Sequence, residues 1–280
     1  FLKLASENVK VAIMGSGGDE LFAGYPTYQA DRYVNLFRHL PISLRKFMLF
    51  TTQQFSVSYK KYSFDYTLKK FIEGSFFENI KSHYWWRTIF SDEEKKALII
   101  PEIIKDKKIE LDSSYKYYER FNEVESSFEN KAIYSDFYLF LSDNALILAD
   151  HLSMHFSMEV RPPLLHQDFV DYACRIPYKF KLNKNTPKYI LRRAYTNKIP
   201  WNAVKRAKHG TVVPLGLLFR TKLKFYIQEQ LSRSHLNNID FLNQGFIDKL
   251  LSDHFKGKMD NGYKLWSLLC LVKWHNLFYR

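Results

Sequence analysis

Apolar and polar positions divide this chain into segments of different period. Val9, Val11, Ala12, Ile13 and Met14 form a short run rich in β-branched residues, closed on its C-terminal side by the glycines of GSGGDE. Such a run predicts a strand buried on both faces of a parallel sheet, then a turn, then a helix opening at Asp19 and Glu20. Residues 131–158 read as one long, mostly helical stretch, with Leu139, Leu141, Leu146, Leu148 and Leu152 supplying its apolar surface. Pro162 and Pro163 end that stretch, and a further helix starts over Gln167 to Arg175. Thr186-Pro187 is a start signal, a capping hydroxyl followed by proline at the first helical position. The helix KYILRRAY that it opens sets Lys188 and Arg192 four residues apart on one face. Earlier in the chain, Ser91 and Glu94 frame a capping box before a mixed apolar run. KDKKIELDSS, residues 105–114, reads as a loop, and the tail as a helix, a GKMDNG turn and a strongly amphipathic last helix.

With 280 residues and 46% hydrophobic content, the chain can bury the core of one domain. No internal repeat or low-complexity segment breaks it. Cys174 and Cys270 are far apart and offer neither a disulfide framework nor a metal-ligand spacing, which fits a reducing, cytoplasmic setting. There is no apolar run of about 18 residues and no secretory signal, so no membrane span or export is expected. The net charge of +13 is spread along the chain rather than gathered in a block. That spread argues against a dedicated nucleic-acid site and suits nucleotide, pyrophosphate or an acidic partner domain. The aromatics Tyr84, Trp85 and Trp86, interleaved with Lys69, Lys70, Lys81 and Arg87, read as packing residues in preference to base-stacking ones.

Candidate chemistry gathers at the glycine turn. Gly15, Gly17 and Gly18 allow backbone angles closed to other residues and leave room for a ligand beside the main chain. A loop at the C-terminal edge of a parallel sheet is where α/β proteins hold phosphorylated ligands, and Asp19 at its mouth suggests a bridging Mg²⁺. The bare alternative is a tight strand-to-helix turn with no ligand, since neither a Walker A loop nor a G-x-G-x-x-G pattern is present. His151 and His155 stand one helical turn apart and could share a metal, but without a third ligand they read as ordinary helix histidines.

GSGGDELFAGYPTY resembles the SG(D/E)GGDELFGGYPRY loop in the synthetase domain of glutamine-dependent asparagine synthetases. Three further blocks follow in the family's order. LADHLSMHFSMEVRPPLLH is similar to the segment ending SMAHSLEVRVPFLD, KYILRRAY to TKYLLRRAL, and RAKHGTVVPLG to RPKQGFGVPLG. The resemblance implies an α/β fold with a parallel sheet of the adenine-nucleotide alpha-hydrolase-like (PP-loop ATPase) type, largely helical in this portion. It implies ATP and Mg²⁺ as cofactors and adenylation of a carboxylate, aspartate in the family, before ammonia from a glutaminase displaces AMP. On matched positions it gives Gly15, Ser16, Gly17 and Gly18 to the nucleotide or intermediate and Asp19 to the metal. Lys208 would meet the departing pyrophosphate, and Glu159 would lie beside the reacting substrate, orienting it or moving a proton. Read alone, Lys208 is a solvated loop lysine and Glu159 an ion-pair partner of Arg161 or another basic neighbour.

The family's earlier Ser-Gly-Gly-x-Asp-Ser loop and its glutaminase do not occur in residues 1–280. The expectation is therefore a partial synthetase domain over 1–280, a C-terminal portion of a longer protein or a split or decayed synthetase, with a homodimer left open. Departures fall in the matched blocks: Met14 stands for serine, Ser16 for Asp or Glu, Phe156 for histidine, His166 for aspartate and Thr211 for phenylalanine. Ser16 bears most on substrate, because a hydroxyl cannot supply a carboxylate's charge. A sister enzyme amidating a sugar acid or cyclising a peptide, and a non-catalytic remnant or partner subunit, stay open beside aspartate amidation.

Overall fold

Strand β1 (Val11–Ile13) runs parallel to β2 (Glu159–Arg161), with Val11 opposite Glu159 and Ile13 opposite Arg161. The ladder reaches one residue past β1 at each end: Glu159 N–H donates to the Lys10 carbonyl at 2.8 Å, and Met14 N–H to that of Arg161 at 3.0 Å. The computed structural model describes residues 2–52, 64–106, 110–206 and 213–279. The chain divides into two compact units, one of residues 1–37, 78–84 and 114–209, the other of residues 38–77, 85–113 and 210–280.

The first unit holds both strands. The sequence pattern predicts a strand buried on both faces, and here the structure differs: Ile13 is 78% exposed and Val11 is exposed as well. Among the described residues only β2 pairs with β1, and the alternation is one-sided: Val11, Ile13, Glu159 and Arg161 are exposed while Ala12 and Val160 are partly buried, so neither face is fully covered by packed elements. After β1 the chain turns through Gly15–Gly17 into a single helical turn, Gly18–Leu21, as the Asp19-Glu20 signal predicts. Leu21 and Phe22 then bury against Ala173, which anchors the glycine loop to the Gln167–Arg175 helix. Burying such side chains is worth roughly 1.5–3 kcal/mol each.

The expected run over 131–158 is helical throughout, but not of one kind. An α-helix over Phe128–Asp136 passes into ten residues of π-helix, Phe137–Leu146, and back into α-helix over Ile147–Met154. A π-helix adds a residue to each turn, which rotates the apolar positions away from a simple α-helical face. Leu141 is accordingly buried while Leu148 and Leu152 are exposed. The Gln167–Arg175 helix has the bounds that the sequence suggests.

Thr186 does not cap the next helix. It closes a turn with Asn183, each N–H bonding the other's carbonyl at 3.1 and 2.8 Å, and the helix covers Tyr189–Tyr195. Lys188 is the N-cap, in the left-handed region at φ 53°. Its N–H reaches the Phe22 carbonyl at 3.0 Å, a long-range bond that fixes the backbone in a conformation local sequence does not favour.

The second unit is helical around one core that includes Phe219, Ile227, Leu231, Ile247, Leu265 and Val272. The capping box forms as predicted, with Glu94 N–H donating to Ser91 Oγ at 3.2 Å and Ser91 N–H to Glu94 Oε2 at 3.0 Å. The aromatics pack: the Trp86 ring stacks on Phe71, and Lys70 Nζ lies 3.7 Å from the Trp85 ring centroid. Of the expected 105–114 loop, Lys105 and Asp106 belong to the Pro101–Asp106 helix, and residues 107–109 lie outside the described residues. The last helix, Gly262–Phe278, buries Leu265, Leu268, Leu269 and Val272 yet exposes Trp266, Trp274, Leu277 and Phe278. It is apolar on several sides, not the strongly amphipathic helix expected, because aromatic and leucine residues interrupt every polar stripe.

Candidate active site

The loop after β1 sorts its glycines by what surrounds them. Gly17 has φ +87°, and a Cβ there would collide with the Leu165 side chain. Gly18 is buried, with Leu164 at 3.1 Å from where a Cβ would stand. These two are turn and packing glycines. Around a Cβ at Gly15 there is nothing within 4 Å, so the main chain there faces open space that a ligand can enter. Ser16, beside it, is partly buried.

Asp19 sits partly buried on the helical turn, and Lys188 Nζ lies 3.1 Å from its Oδ1. The same ammonium stands 3.6 Å from the Cβ position of Gly18, so the loop carries a cation as well as a carboxylate. Two residues outside the predicted set complete the arrangement. Lys188, which the helical pattern assigns to a face shared with Arg192, instead turns to Asp19. Gly24 closes the far side of the turn: its N–H donates to the Asp19 carbonyl at 2.7 Å, and a Cβ would strike Asp19 Oδ1 and come within 2.9 Å of the Asp19 Cα. The signal for Gly24 is present in DELFAGY, where Ala23 precedes it at φ 50°. Next to Asp19, Glu20 is buried and accepts a bond from Tyr25 Oη; burial raises its pKa above the ordinary carboxylate value.

Glu159 lies on the neighbouring strand, away from this loop. Parallel register puts it opposite Val11 at the start of β1, while Arg161 lies opposite Ile13, two residues before Gly15. Arg161 grips the Glu159 carboxylate with two bonds, Nε to Oε1 at 2.9 Å and Nη2 to Oε2 at 3.0 Å. The pair is exposed, and the Arg161 hydrogen bond and charge hold the Glu159 pKa below the usual value. The ion-pair partner read from the sequence is thus the one found. Lys208 and Thr211 lie outside the described residues. The structure therefore brings together Gly15 to Asp19 and Lys188, and places Glu159 beside Arg161 one strand away.

His151 and His155 are both exposed, and among the described residues no cluster of three or more His, Cys, Asp or Glu could hold a metal. A single carboxylate such as Asp19 suits Mg²⁺ that draws its other ligands from phosphates and water, the usual way this ion sits on nucleotides. No helix among the described residues is long and apolar enough to cross a membrane.

The family described as Asparagine synthase matches residues 1–276. Asparagine synthetase [glutamine-hydrolyzing] 1 of Bacillus subtilis is 27% identical over 278 residues, covering 98% of this chain and 42% of that protein. A putative asparagine synthetase [glutamine-hydrolyzing] of Mycobacterium tuberculosis is 26% identical over 275 residues, covering 98% of this chain and 40% of its own length. The chain thus spans about two fifths of the relatives it matches. No solved structure is a significant match. With nearly its whole length matched, this chain belongs to the asparagine synthase family.

Proposed function

We propose that this chain works as the ATP-dependent part of a carbon–nitrogen ligase that amidates a carboxylate through an acyl-adenylate. The observation that carries the reading is the loop after β1, open at Gly15 and flanked by the Asp19–Lys188 pair, in a chain of this family. The sheet would be of the adenine-nucleotide alpha-hydrolase-like (PP-loop ATPase) type; the parallel β1–β2 pairing and the loop after β1 agree with it.

In this reaction a substrate carboxylate oxygen attacks the α-phosphorus of ATP, and the bond to the pyrophosphate oxygen breaks. Ammonia then attacks the acyl carbon and loses a proton, and AMP leaves with the former carboxylate oxygen. Gly15 leaves space for the intermediate beside the main chain. Asp19 would hold Mg²⁺, which when bound supplies charge neutralisation on the phosphates. Lys188 would offer its ammonium to the phosphate chain, and Lys208 would serve the departing pyrophosphate. Glu159, kept ionised by Arg161, is a weak base and is better suited to orienting an amine or a cationic substrate group than to removing a proton.

The relatives are named for asparagine synthesis with glutamine hydrolysis, which supports aspartate, the acid that the resemblance implies, with glutamine-derived ammonia as the first substrate pair to test. Ser16 and His166 favour a second reading, another acceptor acid on the same chemistry, because both stand where the two resembling family segments carry acids. We place the protein in the cytoplasm, where ATP and glutamine are abundant. The test is AMP release from MgATP by the native protein with ammonia and a panel of carboxylic acids. Release that needs one acid and is lost in Lys208→Ala supports the reading. Release no higher than the Lys208→Ala background with every acid refutes it.

A further inference from the structure

The first unit contains a cleft of about 630 Å³ that the proposed chemistry does not use. Arg192, Arg193 and Lys205 line it, with Tyr189 and Trp201 as aromatic walls, and no Asp or Glu is among its described lining residues. The volume lies within the range of small-molecule sites. Arg192 is fixed in place: Nε donates to the Pro187 carbonyl at 3.0 Å, Nη1 to that of Val204 at 2.6 Å and Nη2 to that of Arg206 at 3.3 Å. These acceptors are neutral, so they position the guanidinium without cancelling its charge. Arg193 is exposed, and Lys205 Nζ lies 4.7 Å from the centroid of the exposed Trp201 ring. Three cations thus line one concave surface on which the described residues supply no counter-charge.

Gly24 forms part of the inner wall. Its other side abuts Asp19 and Lys188, so the cleft backs onto the glycine loop across one residue without a side chain.

We propose that this cleft binds an oligophosphate anion. Multiple positive charges with no carboxylate select a ligand of several negative charges, and arginine forks match phosphate oxygens. The anion could be inorganic pyrophosphate or the phosphate end of a nucleotide whose base lies on Trp201. The inference rests on the cleft itself and goes beyond the adenylation reading.

Calorimetry on the purified protein in magnesium-free buffer with chelator, titrating pyrophosphate and AMP separately, tests it. Arg193→Ala combined with Lys205→Ala is expected to weaken pyrophosphate binding at least about tenfold, since two charge-assisted contacts are lost. Both residues are exposed, so the variant keeps its fold. Lys222→Ala combined with Lys249→Ala, two exposed lysines of the other unit that do not line the cleft, is expected to leave that binding within about twofold, which separates the cleft from a general loss of positive charge. Trp201→Leu reports the source: weaker AMP binding with pyrophosphate unchanged assigns a nucleotide, and equal retention of both assigns the inorganic anion. Absence of binding at millimolar pyrophosphate, unchanged affinity in the Arg193/Lys205 variant, or a loss in the Lys222/Lys249 variant as large as in the Arg193/Lys205 variant overturns the proposal. None of these measurements needs turnover, so their failure is distinct from a failure of adenylation.

Discussion

His83 offers the sharpest test of how the first unit is held together. Its ring is fully buried, with Nδ1 2.6 Å from Asp31 Oδ2 and Nε2 3.2 Å from Asp136 Oδ2, and it stacks on Tyr28. Burial alone would lower its pKa. The charges of Asp31 and Asp136, with their hydrogen bonds, outweigh that and push it from 6.5 up to about 9. With a carboxylate on each nitrogen, both nitrogens donate and the ring is the imidazolium. Because the folded-state pKa is the higher one, the stabilisation is complete below about 6.5 and is lost as pH rises through about 9. The difference between those two values corresponds to roughly 3 kcal/mol. Urea unfolding at pH 6.5, 8 and 10, followed by circular dichroism, should show that loss in the wild type. His83→Gln should start roughly 3–5 kcal/mol lower, since it strands two buried carboxylates, and should lack this component of the pH dependence. If His83→Gln does not fold, proton NMR titration of the wild-type histidines gives the same answer. A His83 midpoint at or below 7, or wild-type stability flat from pH 6.5 to 10, refutes the reasoning.

Three further outcomes follow from the loop and the caps. Gly24→Ala should cost roughly 1–3 kcal/mol, because its Cβ meets Asp19 backbone as well as side chain; Gly15→Ala, with open space around it, should leave the thermal midpoint unchanged and weaken nucleotide binding. Equal midpoints for the two variants would contradict the sorting of the glycines. Lys188→Met should weaken ATP binding several-fold in equilibrium dialysis and leave the circular dichroism spectrum intact, since its pair with Asp19 is partly exposed and worth only about 1 kcal/mol or less. Ser91→Ala should cost about 1 kcal/mol in urea through the lost capping box, and a change below 0.3 would argue that another donor replaces it.

What the sequence made legible was local. The glycine turn after β1, the Ser91–Glu94 box and the Gln167–Arg175 helix each rest on residues a few positions apart, and each forms as read. What it hid depends on distant partners. Lys188 looks like a helix-face lysine until its N–H finds Phe22 and its ammonium finds Asp19. His83 sits in an undistinguished stretch, and nothing nearby signals that Asp31 and Asp136 will bracket it. The strand run was correct in place and direction but not in burial, since burial depends on which elements pack over the faces of the sheet. The π-helical turns after Asp136 left no local mark, because residues that pack in a π-helix are the same ones that pack in an α-helix. At Glu159 the two sequence readings met a structural fact: Arg161, two residues on and on the same side of the strand, holds the carboxylate.

The central claim is that a carboxylate is activated on ATP at the loop carrying Asp19. Exchange of labelled pyrophosphate into ATP, measured on the native protein with MgATP and each candidate acid, isolates that step from ammonia supply. The account predicts exchange that requires an acid and falls at least about a hundredfold in Asp19→Asn, the scale of removing one transition-state contact. Exchange that proceeds equally in Asp19→Asn, or none with any acid, would contradict it.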